Sequence, residues 1–307
     1  MKDNGETEAE KMELAERIRG GLYGVAVGDA LGGTTEFMSP REIAARHGYL
    51  TEIVGGGVWR LEPGEVTNDT MMTLCVADGI LAAPDDPKEA IGERFLRWYA
   101  SGPEDVGNII RTVLATYEGD WFQAAMLADL DLGQSAGNGS LMRCLPAALC
   151  YPAWADVSRV SRMQSKMTHY DELCNEACEI YNRIAFAMLD GEAPLREAVG
   201  AAVAGTPYEA MLSSNPDCET SGYVVHTFRW VLHLLLTSNS FEEVVQRAAN
   251  QGGDSDTIGA IAGGLAGVHW GFAGIPERYA AGILIRERLD ATSERILALR
   301  RSLAPGA

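Results

Sequence analysis

Apolar positions recur at helical spacing along nearly the whole chain, and the pattern predicts a series of helices joined by short polar or glycine-rich segments. Residues 10–27 open the series and end in small side chains. A second helix starts at "TNDT" and runs on as the apolar segment 67–82. An amphipathic stretch over 87–100 follows the turn "APDDP". Further helices are expected over 106–117, 121–128 and 140–150, then as a pair over 153–169 and 171–191. Residues 195–204, 223–236, 241–250, 258–273 and 276–303 complete the set. Alternating strand-type runs are scarce; residues 51–54 are the nearest, and they are few. The expected fold class is therefore all-α.

Glycine-rich joints recur as "GDALGG", "GGGVW", "SAGNGS" and "QGGD". Apolar segments flank each one closely, so they read as tight joints between packed helices rather than as flexible linkers. No fixed-period repeat or low-complexity run divides the chain. Residues 1–15 read as a polar N-terminal extension, and residues 16–307 as a single compact domain of many helices.

Composition narrows the function classes. A chain of 307 residues with 47% hydrophobic and 22% charged positions is globular and buries a large core. Its net charge of −18 argues against nucleic acid or an anionic membrane as partner. There is no signal-peptide pattern and no apolar run of membrane-spanning length, so a cytoplasmic location and a monomer are expected. The six cysteines form no CxxC and no zinc pattern, and are expected to be reduced.

Candidate chemistry lies at the helix starts. "QGGDSDTIGAIAGGLAG" sets Asp254, Asp256 and Thr257 ahead of a run of small and apolar residues. One acidic residue suffices to cap a helix, and capping is one reading. Several clustered oxygen donors are also what a hard divalent cation requires. "VTNDTMMTL" repeats the device with Thr67, Asn68 and Asp69. If both starts face one pocket, they offer enough oxygen ligands for two adjacent cations. Glu36 lies in the glycine-rich "GDALGGTTEFMSP", where it is either a pocket carboxylate or a solvated loop acid. "AGNGSLMR" places Gly137, Asn138, Gly139 and Ser140 at an expected helix start, which suits a tight turn or a diphosphate cradle, with Arg143 one turn further on.

Five segments, "GLYGVAVGDALGGTTEFM", "VTNDTMMTL", "AGNGSLMRCLPAAL", "MTHYDELCNEAC" and "NQGGDSDTIGAIAGGLAGVHWG", together resemble the ADP-ribosylglycohydrolase family in order. "WYASGPEDVGN", which carries Asp105, resembles the branch represented by dinitrogenase reductase-activating glycohydrolase. The resemblance implies an all-α fold with a binuclear magnesium or manganese centre. It implies Thr67, Asp69, Asp254, Asp256 and Thr257 as metal ligands, with Asn68 where the family usually has aspartate. It further implies that Glu36 lies near the metals, that His169 matches a family histidine, and that the substrate is an ADP-ribosylated protein. On this reading Glu36 activates water and Asp105 holds the acceptor guanidinium, unless Asp105 only caps a helix. His169 is either a pocket residue or a structural histidine, and Tyr223 either contacts the adenosine part or packs. Three rivals stand beside this reading: a hydrolase of another ADP-ribose linkage (serine or O-acetyl-ADP-ribose), a metal phosphohydrolase, and a non-catalytic ADP-ribose-binding member, which Asn68 keeps open.

Overall fold

The computed structural model describes residues 8–189 and 194–304. The helices are α1 (Glu8–Gly32), α2 (Pro40–His47), α3 (Asn68–Ala82), α4 (Lys88–Ala100), α5 (Asn108–Thr116), α6 (Trp121–Leu132), α7 (Pro146–Cys150), α8 (Trp154–Lys166) and α9 (Glu172–Leu189). They continue as α10 (Leu195–Val203), α11 (Val224–Thr237), α12 (Phe241–Gln251), α13 (Ser255–Trp270), α14 (Glu277–Gly282) and α15 (Arg286–Leu303). The all-α expectation holds. Among the described residues the β-type contacts are two isolated bridges, Gly56 with Leu61 and Gly137 with Tyr223. No described helix is long and apolar enough to cross a membrane. All six cysteines are free thiols.

A tight antiparallel pair, α1 with α13, forms the centre of the fold. Gly20, Gly24, Gly28 and Gly32 recur every fourth residue and so line one face of α1; Gly259, Gly263 and Gly267 do the same on α13. A Cβ built on Gly28 would lie 1.9 Å from the carbonyl oxygen of Gly259, and one on Gly24 would lie 2.0 Å from that of Gly263. The two backbones therefore touch directly. This contact has a positional consequence: the C-terminal end of α1 meets the N-terminal end of α13. Ser255 donates its hydroxyl to the carbonyl of Gly32 at 2.9 Å and fixes that junction.

Several expected boundaries shift. Residues 1–7 of the expected extension lie outside the described residues, and α1 already runs from Glu8. Residues 190 and 191, assigned to the helix before them, also lie outside. The expected helix 140–150 is replaced by a short 3-10 turn at Asn138–Ser140, a further turn, and then α7 starting at Pro146, whose ring cannot continue a preceding helix. The expected helix 276–303 breaks between α14 and α15, where Leu284 N–H bonds to the carbonyl of Gly64 instead of to its own helix. The strand-like run 51–54 is irregular backbone. An unexpected element is α2, whose start is a capping box: Ser39 accepts from Glu42 N–H, and the Glu42 carboxylate accepts from Ser39 N–H.

Candidate active site

Two helix starts converge as the sequence suggested, and neither uses its acids as caps. Asp254 occupies the N-cap position of α13 and Thr67 that of α3, yet neither side chain makes a capping hydrogen bond. At α3 that task falls to Asp29, a buried residue of α1. Its carboxylate accepts the N–H groups of Thr67 and Thr70 at 3.0 Å and the Thr70 hydroxyl at 2.5 Å. Capping from outside the helix leaves Thr67, Asn68 and Asp69 free to face elsewhere. Asp69 Oδ2 lies 3.3 Å from Thr67 Oγ1 and 3.5 Å from Thr257 Oγ1, so it joins the two helix starts.

The turn after α1 brings in Glu36. Phe37 N–H donates to the carbonyl of Gly253 at 2.7 Å, and Gly253 N–H donates to that of Met38 at 2.9 Å. Gly252 and Gly253 have φ of 67° and 63°, and a Cβ on either would strike backbone oxygen at 2.0–2.2 Å. Glycine is needed at both for this close approach. Glu36, Asp105 and Asp256 then offer carboxylate oxygens that all lie within 4.8 Å of one another. Glu36 Oε2 accepts the indole N–H of Trp59 at 2.5 Å. Asn138 Nδ2 donates to Asp254 Oδ2 at 2.5 Å and to Thr227 Oγ1 at 2.9 Å, which ties the glycine loop to the start of α13.

Glu36, Asp105, Asp254, Asp256 and Asn138 line a cavity of about 600 Å³. Asn68, Thr257, Gly137, Gly139, His169 and Tyr223 belong to the same wall. Asp69 lies behind them, fully buried, and Thr67 faces a neighbouring cleft that shares Asn68 and Asp105 with the cavity. Two expected substrate contacts are corrected. Arg143 is fully buried and directed into the core, where Gln164 and Thr168 accept its hydrogen bonds and Phe95 stacks on its guanidinium at 4.3 Å. Ser140 is also fully buried, and its hydroxyl accepts from Ser165 at 2.9 Å. Both side chains support the glycine loop from behind.

Trp59, Phe37 and the segment Thr220–Gly222 enter the site without having been expected there. Trp59 follows a quoted glycine run, but nothing in the sequence links it to Glu36. Phe37 is 66% exposed at the cavity rim, with a left-handed φ of 61°.

The donor set fits a hard cation. Asp69 Oδ1 and Asp256 Oδ1 are buried with no hydrogen-bond partner among the described residues. Buried acceptors ordinarily find a donor, so two carboxylate oxygens without one at an oxygen-rich site suit a positively charged partner. Electrostatics agree. Burial pushes the Glu36 carboxyl up to about 8, with the Asp105 charge adding to it, and pushes Asp105 up to about 7, with Asp29 and Asp254 adding. Asp69, Asp254 and Asp256 are likewise raised, first by burial.

A carboxyl raised in this way binds its proton more tightly in the folded chain than in the unfolded one. Its contribution to stability is full below the unfolded pKa, about 4, and is lost as pH rises through 7 to 8. Chelator-treated protein is therefore expected to melt at a lower temperature at pH 8 than at pH 5.5. Added Mn²⁺ is expected to raise the pH 8 value and flatten the slope. Thermal melts at both pH values check this; a chelated protein that gains stability toward pH 8 would contradict it.

The family model for ADP-ribosylglycohydrolase matches residues 10–305. The chain belongs to the ADP-ribosylglycohydrolase family. It is 35% identical to the ADP-ribosyl-[dinitrogen reductase] glycohydrolase of Rhodospirillum rubrum, over 90% of this chain and 95% of that protein. It is 30% identical to an ADP-ribosylarginine hydrolase of Pseudomonas putida (strain GB-1), over 92% of this chain and 78% of that one. A solved structure described as an ADP-ribosylglycohydrolase-related protein complex superposes with a TM-score of 0.82 at 32% identity, covering 94% of this chain and 99% of the other. Membership makes the protein an enzyme of the glycosyl-hydrolase kind, as the sequence reading expected.

Proposed function

We propose that this ADP-ribosylglycohydrolase removes ADP-ribose from arginine side chains of modified proteins with the help of two divalent cations, Mg²⁺ or Mn²⁺. The observation that carries the reading is the convergence of Glu36, Asp105 and Asp256 on a cavity also walled by a glycine loop. The similarity to an ADP-ribosylarginine hydrolase supports the arginine linkage, and the similarity to a glycohydrolase of ADP-ribosyl-dinitrogen reductase supports a modified protein as substrate.

Thr67, Asn68, Asp69, Asp254, Asp256 and Thr257 would hold the cations. Bound there, divalent ions would make water more acidic and would offset the negative charge of an ADP-ribose dianion in an acidic protein. The rest falls to the chain itself. Glu36, poised by burial and oriented by Trp59, orients the attacking water and takes its proton. Asp105 holds the guanidinium through charge-assisted hydrogen bonds and keeps the leaving nitrogen in place. Gly137 and Gly139 present backbone to the diphosphate, Asn138 holds the loop in place through its N–H bond to the carbonyl of Gly222, and Tyr223, exposed on the cavity wall, meets the adenosine part. The bond that breaks joins ribose C1 to nitrogen; water oxygen replaces nitrogen on C1, and the guanidine leaves with a proton.

Product analysis tests the reading. Arginine-modified peptide is expected to yield free ADP-ribose and unmodified arginine, faster than serine-modified peptide yields ADP-ribose. Release of AMP or phosphate, or a preference for the serine linkage, would overturn it. Asn68 offers a second check. Its side chain lines the cavity beside Thr67. Asn68→Asp is expected to tighten Mn²⁺ binding about tenfold or more, because an anionic ligand attracts a dication more strongly than an amide does. Calorimetric titration of both proteins measures this; equal or weaker affinity in the variant would remove Asn68 from the ligand set.

A further inference from the structure

Arg143, displaced from the cavity, leads back to it through two hydrogen bonds. Its Nη2 donates to Thr168 Oγ1 at 2.6 Å, and Thr168 Oγ1 lies 2.8 Å from His169 Nδ1. Arg143 and Thr168 are fully buried and His169 is 1% exposed. The opposite edge of the imidazole reaches the cavity wall. A Cβ on Gly137 or Gly139 would lie 3.4 Å or 3.3 Å from His169 Nε2, so this nitrogen seats against the glycine loop.

The hydrogen inventory decides which nitrogen carries the proton. Guanidinium only donates, so Thr168 Oγ1 must accept from Arg143. The threonine hydroxyl then has one hydrogen to place, and His169 Nδ1 is its acceptor among the described residues. If Nδ1 were protonated, two donors would face one oxygen and the hydroxyl hydrogen would be buried unpaired. Such groups are rare and costly. The arrangement that satisfies every group has Nδ1 accepting and Nε2–H directed at the glycine loop. A doubly protonated ring would meet the same conflict beside a buried cation, and burial together with Arg143 pushes the His169 pKa down to about 3.

We propose that Arg143 and Thr168 are positioning residues that lock His169 as a neutral imidazole whose Nε2–H serves as a fixed donor to an anionic oxygen of the ligand at the glycine loop. The ligand part of this statement rests on the reading that the cavity takes ADP-ribose. The device supplies a hydrogen bond without placing a titrating charge in the wall. It also explains a buried arginine with no acidic partner among the described residues: the cation polarises the hydroxyl toward the ring.

Nitrogen-15 NMR of the histidine side chains in the ligand-free protein at pH 7 tests the tautomer independently of any ligand. Nδ1 of His169 is expected at the unprotonated shift and Nε2 at the protonated one; the reverse, or an imidazolium, would overturn the proposal. Thr168→Val is expected to lose the single tautomer and to weaken ADP-ribose binding about tenfold, the scale of one hydrogen bond to a charged group. Thr168→Ser is expected to restore both. Valine binding ADP-ribose as tightly as wild type, or serine failing to rescue, would overturn the positioning role. Should the valine variant not fold, the wild-type spectrum and the serine variant still decide. Wild-type protein with the expected tautomer and no affinity for ADP-ribose would overturn the functional reading and the ligand half of this proposal, while the tautomer stands.

Discussion

Asp256→Ala is expected to lower turnover of arginine-modified peptide by at least about a hundredfold while leaving the protein folded. The usual objection is that an aspartate at a helix start is a cap, whose loss costs about 0.5–2 kcal/mol of stability. Here Asp256 lies in the first turn of α13, 1% exposed, with Oδ1 unpartnered among the described residues and other carboxylates crowding it. Removing it relieves repulsion in the cation-free protein. The melting temperature in chelator is therefore expected to stay level or to rise. The wild-type gain in melting temperature on adding Mn²⁺ should shrink in the variant. An alanine variant that is merely less stable but turns over normally would make Asp256 structural.

Gly28→Ala is expected to destabilise the protein by about 1–3 kcal/mol, the usual cost of forcing atoms into a packed core. The sign is the informative part, because alanine in a helix interior is intrinsically better than glycine by about 1 kcal/mol. At Gly28 the new methyl group would sit 1.9 Å from the carbonyl oxygen of Gly259, and neither backbone can yield without separating α1 from α13. Separation also displaces the Glu36 turn from Asp254 and Asp256, so activity should fall more than the folded fraction does. Gly282→Ala provides the control, since a Cβ there meets nothing within 4 Å. Urea denaturation of both variants measures the difference; a stabilised Gly28→Ala would show that the helices are not in backbone contact.

The helical periodicity made most elements legible, because a helix with one buried face repeats its apolar positions whatever it packs against. The failures have local causes. The eight-residue α2 is too short to show a period, although Ser39, Pro40 and Glu42 spell its capping box. The break between α14 and α15 comes from a distant partner, Gly64, which no window of sequence contains. The glycines of α1 and α13 recur every four residues in plain view, but which stripe meets which is a tertiary fact.

The candidate site was legible in its acids and glycines and much less so in its supports. Asp254, Asp256 and Asp69 could be suspected because a helix start needs fewer carboxylates than these starts have. Asp29 gave no sign that it caps α3 from another helix, and Trp59 none that it holds Glu36. Arg143, one turn past the glycine loop, reads as ligand-facing or as the partner of an acid, and among the described residues it is neither. A buried guanidinium satisfied by Gln164 and Thr168 is visible only when α8 is packed behind the glycine loop.

The most direct measurement is the release of ADP-ribose from an arginine-modified peptide by protein first stripped with chelator and then supplied with Mg²⁺ or Mn²⁺. Negligible release after stripping, and recovery that saturates with added cation in wild type but not in Asp256→Ala, is the expected result. Full release by the stripped protein, or recovery in the alanine variant equal to wild type, would contradict a cation-dependent reaction at the Glu36–Asp105–Asp256 cluster.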